Sequence, residues 1–371
     1  MDYPDFTQFR EPSLSGRYLT LDHIKPLIFR HKHRVEGYSV KKEPVYSLTL
    51  GNGPIRILMW SQMHGNESTT TKGVFDLLNY FTSTAGPHLL ERLTICLIPM
   101  LNPDGSEAYT RENANLVDLN RDFIHQTQPE TGIFLDMVNR FKPDYAFNLH
   151  DQRTIYGAGD SGQPATLSFL SPSCDETRAI TPERSKAMEI IVGINRVLQK
   201  LIPGQIGRYD DGFNANCVGD TLQMKGIPTI LFEAGHYPGD YQREQTRYLV
   251  ALSIYAALKH ISDNVIVSTG IDEYLHIPQN KVNFNDFVYK NVKINYDGNQ
   301  IITNLAAQYQ EVKEGQIIQF KAHLAQIGTA AFGHFEYDAR GALFQGIPEV
   351  GQPADFVLGD QPFVNGVPLK Q

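Results

Sequence analysis

Four short apolar runs, each ending beside a polar cluster, constrain this chain more than any other feature. Ile55-Arg56-Ile57-Leu58-Met59-Trp60, Leu93 to Ile98, Tyr145 to Leu149 and Ile227 to Phe232 all have strand length and near-continuous apolar character. Runs of that kind suit strands buried on both faces of a sheet. The segments between them carry helical spacing instead. Ser68 to Phe81 alternates polar and apolar residues at about that period. Thr181-Pro182-Glu183 is a helix start, with Thr as cap and Pro in the first turn, ahead of Ala187, Ile190, Ile191, Ile194, Leu198 and Leu201. Tyr248 to Ile261, rich in Leu, Ala and Tyr without Gly or Pro, reads as a further helix packing on the sheet. Strands alternating with helices predict an α/β fold, a mixed sheet flanked by helices.

Residues 1 to about 50 read as an irregular lead-in carrying edge strands. Beyond about residue 265 the texture changes to short runs of Val, Ile, Tyr, Phe and Thr broken by Asp297-Gly298-Asn299, Gly315, Gly328 and Gly341. A catalytic-size domain over 1–264 and a small β-rich domain over 265–371 are therefore expected, as the length of 371 residues also favours. Apolar residues at 41% and charged residues at 20% describe a chain that folds. The formal net charge of -8 argues against a nucleic-acid platform, which needs a basic face. Cys96, Cys174 and Cys217 form neither a disulfide framework nor a CxxC motif, which suits a reducing compartment. Met1-Asp2-Tyr3-Pro4-Asp5-Phe6 is not a signal peptide, and no run is long enough to span a membrane. A cytoplasmic location without membrane contact is the expectation; the sequence leaves the oligomeric state open.

Chemistry then has to come from the loops after the strands. His64-Gly65-Asn66-Glu67 follows the first run and offers an imidazole and a carboxylate one turn of chain apart. An HxxE alone recurs by chance in a chain with 12 histidines. His150, closing the run Tyr145 to Leu149, adds a ligand at the end of a second strand. Two histidines and one glutamate leave a fourth position of a zinc ion open, the pattern of catalytic sites. Glu233 closes the run Ile227 to Phe232, where burial raises a carboxyl pKa and equips it to accept a proton from an attacking water.

The most specific stretch is Asn102-Pro103-Asp104-Gly105, followed by Arg111-Glu112-Asn113-Ala114-Asn115-Leu116-Val117-Asp118-Leu119-Asn120-Arg121-Asp122-Phe123. With the HxxE, the later His and the Glu, it resembles the zinc metallocarboxypeptidase family, above all its regulatory branch, across residues 55 to about 260. The resemblance implies one zinc per chain on His64, Glu67 and His150, with Glu233 as general base. It further implies that Asn120 and Arg121 grip a substrate's terminal carboxylate, a natural partner for a guanidinium fork. By the same resemblance Arg111 steadies the oxyanion and Asp118 orients His64. Tyr209 is the candidate for the family's substrate-capping tyrosine, although its flanking residues match poorly.

The gap from Glu67 to His150 is shorter than in the digestive enzymes. It resembles the aspartoacylase and succinylglutamate desuccinylase relatives, which cleave N-acyl amino acids. The expected activity is hydrolysis of the C-terminal peptide bond, on a peptide or N-acyl amino acid substrate with a free carboxylate. An N-acyl amino acid amidohydrolase is the alternative, and an inactive carboxylate-binding module is a third reading that the retained glutamate base disfavours. Asp210, Asp211 and Asp220 are candidates for a pocket favouring basic side chains.

Overall fold

The computed structural model describes residues 3–84, 86–263 and 266–369. Its strands are β1 (His33–Tyr38), β2 (Pro44–Leu50), β3 (Ile55–Trp60), β4 (Leu93–Ile98), β5 (Tyr145–Asp151), β6 (Tyr156–Ala158), β7 (Leu167–Leu170), β8 (Ile206–Arg208), β9 (Thr229–Ala234) and β10 (Asn280–Val282), then β11 (Phe284–Tyr296), β12 (Asn299–Glu314), β13 (Ile317–Ile327), β14 (Phe332–Asp338), β15 (Phe356–Leu358), β16 (Gln361–Val364) and β17 (Val367–Pro368). Its α-helices are α1 (Leu21–Ile28), α2 (Thr69–Thr82), α3 (Pro87–Leu90), α4 (Pro103–Ala108), α5 (Pro129–Phe141), α6 (Pro182–Leu198), α7 (Val218–Met224), α8 (Glu244–Asp263) and α9 (Ile271–His276). The chain divides into two compact units, Met1–Gln152 with Ala165–Asn280, and Arg153–Pro164 with Lys281–Gln371. The boundary expected between 264 and 265 lies outside the described residues. The division falls later, after Asn280, because α9 belongs to the first unit's core, where Tyr274 is fully buried.

The first unit is built on an eight-stranded sheet in the order β1-β2-β4-β3-β5-β9-β7-β8. β3, β4, β5 and β9 run parallel, whereas β2 meets β4 and β7 meets β9 antiparallel. The sheet is mixed. Alternate residues of β3 explain its apolar run: Ile57 and Met59 enter one core cluster, Leu58 and Trp60 another. From β3 the chain passes to β4 on one side and then to β5 on the other, so the carboxyl ends of β3 and β5 flank a topological switch point. Crevices form at such points because the loops leaving the two strands diverge.

Helix ends are set by carboxylates and hydroxyls near their first turns. Asp240 accepts from the backbone N–H groups of Glu244, Gln245 and Thr246, which starts α8 four residues ahead of the apolar pattern. Thr181 caps α6 through Arg184 N–H. The first turn of α2 instead donates from Thr69 and Thr70 N–H to the buried Asp151 at the end of β5, tying helix to strand at the switch point.

The second unit carries a four-stranded sheet, β13-β12-β11-β14, and a three-stranded one, β15-β16-β17. β11 and β12 join through Asp297 and Gly298, both at positive φ, with Tyr296 opposite Asn299: a two-residue hairpin. Its core packs aromatic rings edge to face, with Tyr289 5.0 Å from Phe356 and 5.4 Å from Phe363. Among the described residues no helix is long and apolar enough to cross a membrane.

Candidate metal centre and active site

The loop leaving β3 delivers the first two candidate ligands. Gln62 adopts a left-handed conformation, φ 42°, and its side-chain amide donates to the Leu19 and Gly65 carbonyls at 3.1 and 2.9 Å. Gly65 lies directly against α4: a Cβ there would stand 1.9 Å from the Gly105 carbonyl carbon. The Asn102 side chain caps Gly105 N–H at 2.8 Å and donates to Met63 C=O at 3.2 Å. Asn102-Pro103-Asp104-Gly105 is thus the wall on which His64-Gly65-Asn66-Glu67 rests. Sequence reasoning gave that stretch no mechanical part; the glycine in each motif was the available signal.

His64, Glu67 and His150 converge at the switch point, with a ligand atom of each within 4.8 Å of the others. His64 Nδ1 lies 2.7 Å from Glu67 Oε1, His150 Nδ1 lies 2.7 Å from Glu67 Oε2, and the two Nδ1 atoms are 3.0 Å apart. Asp118 accepts at His64 Nε2, 3.1 Å away, which fixes the proton there and turns the Nδ1 lone pair inward. All three residues are buried. Burial opposes charge on every member. At His64 the Glu67 and Asp118 carboxylates outweigh it and raise the pKa; at His150 burial prevails and lowers it. At Glu67 and Asp118 the neighbouring imidazoles outweigh burial and hold both carboxyls well below the usual range.

Two imidazole lone pairs facing one another across a carboxylate are poorly balanced without a cation. The donor set itself, two nitrogens and one oxygen, is that of open zinc sites. His150 Nε2, enclosed and without an acceptor, is the geometry left when Nδ1 is the working atom. The residues present fit a zinc ion.

Around the triad stand the other candidates. Glu233 is paired in register with His150 on the neighbouring strand, so both side chains leave the same face of the sheet. Its Oε2 is enclosed without a partner. Burial, then the charges of Glu67 and Asp151, push its pKa well above the ordinary carboxylate value. Arg111 donates from Nε to Asp118 at 2.9 Å and places Nη1 3.5 Å from Glu67. Asn120 N–H donates to Asp118 at 2.8 Å, and its Oδ1 accepts Val218 N–H at the start of α7. Arg121 is exposed, with Nη1 2.7 Å from the Asn120 carbonyl and 3.0 Å from Cys217 Sγ. Tyr209 lies at the exit of β8, its N–H on the Phe169 carbonyl. Asp211 is committed to Arg184 and Arg178, and burial raises the Asp220 pKa to about 6. Asp151, absent from the sequence expectations, also belongs here, because its N–H donates to Glu67 Oε2 at 3.1 Å while its carboxylate holds α2.

Residues 27–181 match the family described as zinc carboxypeptidase. The chain is 24% identical over 209 residues to a probable carboxypeptidase 2 of Arthroderma benhamiae, covering 54% of this chain and 38% of that one. It is 28% identical over 182 residues to carboxypeptidase M of Mus musculus, covering 41% and 40%. The chain spans less than half the length of these curated relatives. In fold it is similar to bovine thrombin-activatable fibrinolysis inhibitor, TM-score 0.52 at 14% identity, covering 70% of this chain and all of that one. It is also similar to a putative carboxypeptidase A from Shewanella denitrificans, TM-score 0.52 at 17% identity, covering 65% and 68%. The mixed sheet with flanking helices is the fold of these structures, and the β-rich C-terminal part is an addition to it.

Proposed function

Starting from residues 27–181 as a zinc carboxypeptidase-family segment, we propose that the protein is a metallocarboxypeptidase that hydrolyses the C-terminal peptide bond of peptides. The observation that carries this reading is Glu233, a carboxyl with raised pKa, in register beside His150 of the His64, Glu67, His150 triad. When bound, zinc supplies Lewis acidity to the cleft, sharpening both water and carbonyl for reaction.

The remaining work falls to the chain's own groups. Glu233 takes the proton of the attacking water and returns it to the leaving amine, a part suited to a carboxyl of raised pKa. Asp118 keeps the His64 proton on Nε2. Arg111, already anchored on Asp118, presents positive charge to the oxyanion. Asn120 and Arg121 hold the substrate's terminal carboxylate, with the exposed guanidinium exchanging its Cys217 contact for a charge-assisted one. Tyr209 closes over the bound residue.

Glu233→Gln keeps the shape but cannot accept the proton. It should lose at least about a hundredfold in kcat while retaining metal. Loss of metal in that variant would make Glu233 a ligand, and full activity would end its role. Amidated peptides should lose at least about tenfold in kcat/KM against free ones, and Arg121→Ala should shrink that gap. N-acetyl and N-succinyl amino acids belong in the same panel. Faster cleavage of those amides than of peptides would favour the N-acyl amino acid amidohydrolase reading over this one.

A further inference from the structure

A second charged site lies at the opposite edge of the same sheet. Arg56 is the second residue of β3, whereas the candidate metal ligands follow its other end, about 13 Å further along the strand plus the loop. Around Arg56, the edge strand β1, β2 and the last turn of α5 flank an open cavity of about 320 Å³, with Lys32, Arg34 and Arg140 exposed to solvent. Four cationic side chains, Lys32, Arg34, Arg56 and Arg140, line it against one carboxylate, Glu36. On a chain of net charge -8 that concentration runs against the average.

Glu36 is used up within the wall. It accepts from Ser47 Oγ at 2.5 Å, pairs with Arg140, and has Arg34 Nε at 3.7 Å. Lys32 and the Arg56 side chain have no carboxylate at ion-pair distance among the described residues. The Arg56 guanidinium is stacked 4.6 Å over the Phe141 ring, and its Nε is enclosed without an acceptor. Stacking fixes the orientation of the fork without neutralising it.

We propose that this cavity binds a small phosphate-bearing anion. Its volume is at the lower end of small-molecule sites. The arginines come from three elements, β1, β3 and α5, and so approach a shared centre from different directions. That suits the several oxygens of a phosphate better than a planar carboxylate, and Lys32 adds a mobile point charge. The uncompensated charge of Lys32 and Arg56 is what the anion balances. The site is independent of the catalytic reading, and its test reads binding alone.

The probe is inorganic phosphate, titrated calorimetrically into the metal-loaded chain at constant ionic strength. Saturable binding is expected. Arg56→Ala combined with Lys32→Ala should weaken it at least tenfold, and Glu36→Gln, which releases Arg34 and Arg140, should tighten it several-fold. Should Glu36→Gln fail to fold, Arg56→Ala alone decides, because that side chain has no polar partner to lose. Absence of saturable binding, or binding unmoved by these variants, overturns the proposal. So does binding that only His150→Ala removes, which would place the phosphate at the metal centre. Cations serving only to offset the C-terminal dipole of α5 would show as a lower melting temperature in the double variant without any phosphate effect, and that result also overturns it.

Discussion

The contact between Gly65 and Gly105 can be tested by one methyl group, with a second glycine as its control. At Gly65 an added Cβ would meet the Gly105 carbonyl carbon at 1.9 Å, Ser106 N at 2.2 Å and Gly105 O at 2.3 Å. Carbon atoms in contact sit about 3.5 Å apart or more, so the two loops must part by roughly 1.5 Å. All three clashing atoms are backbone, so no rotamer change relieves them. Overpacking of this kind costs about 1–3 kcal/mol. At Gly132, inside α5, an added Cβ meets nothing within 4 Å. Alanine there should stabilise the chain by about 0.5–1 kcal/mol through helix propensity and a less disordered unfolded chain. The same substitution is thus expected to lower the melting temperature at residue 65 and raise it at residue 132, a gap of at least about 2 °C. Because His64 and Glu67 flank Gly65, Gly65→Ala should also weaken metal binding, read by chelator competition, whereas Gly132→Ala should not. Equal melting temperatures, with metal affinity unchanged in Gly65→Ala, would refute the account of the asparagine-proline wall as the support of the ligand loop.

Asp118→Asn removes the charge that holds the His64 proton on Nε2 and should weaken metal binding about 10- to 100-fold; unchanged affinity in the same competition assay would separate Asp118 from the ligand's tautomer. Asp76→Asn breaks a buried pair with Arg247, joined at 2.7 and 2.6 Å with both side chains almost fully enclosed, and should cost about 3–5 kcal/mol in a denaturant titration. A loss below about 1 kcal/mol would mean that the Glu11 and Leu14 carbonyls suffice for the guanidinium. Burial, scarcely offset by Asn214 N–H, raises the Asp220 pKa to about 6. The native state then holds more protons than the unfolded chain between its ordinary carboxyl value and about 6, so stability falls with rising pH across that window and is flat above it. Asp220→Asn should remove that slope and leave the variant more stable at neutral pH by no more than about 2 kcal/mol; parallel pH profiles for the two proteins would contradict it.

The parallel strands were legible because their burial on both faces writes itself as unbroken apolar runs: Leu93–Ile98 and Ile55–Trp60 were read to the residue. Ile227 to Phe232 was read two residues early. Pro228 has no N–H for the ladder, so the strand starts at Thr229 and carries Glu233 inside it. The start of α8 was missed because its cap, Asp240, lies outside the apolar period. The candidate ligand triad was legible as motifs in order, two members in the loop after β3 and one in β5. The structure adds what no local pattern encodes. The β3–β5 switch point depends on strand order, and the part of Asp151 depends on a helix that starts some eighty residues earlier in the chain. Arg56 and Arg140 fall to one cavity wall only after β3 and α5 have packed.

The second unit takes a share of the middle of the chain, and this gives it a timetable. Residues 153–164 follow directly on His150-Asp151-Gln152, yet their partners lie in 281–371: Ile155 C=O accepts from Asn283 and Phe284 N–H, Thr154 C=O lies 2.8 Å from His334 Nε2, and Asn283 donates to Gly159 C=O. On a ribosome the segment emerges more than a hundred residues before the strands that will hold it. At about 5–20 residues per second it waits roughly 6 to 25 seconds, long against most folding events. The stretch just after the candidate ligand His150 is thereby among the last parts of the chain to acquire its neighbours.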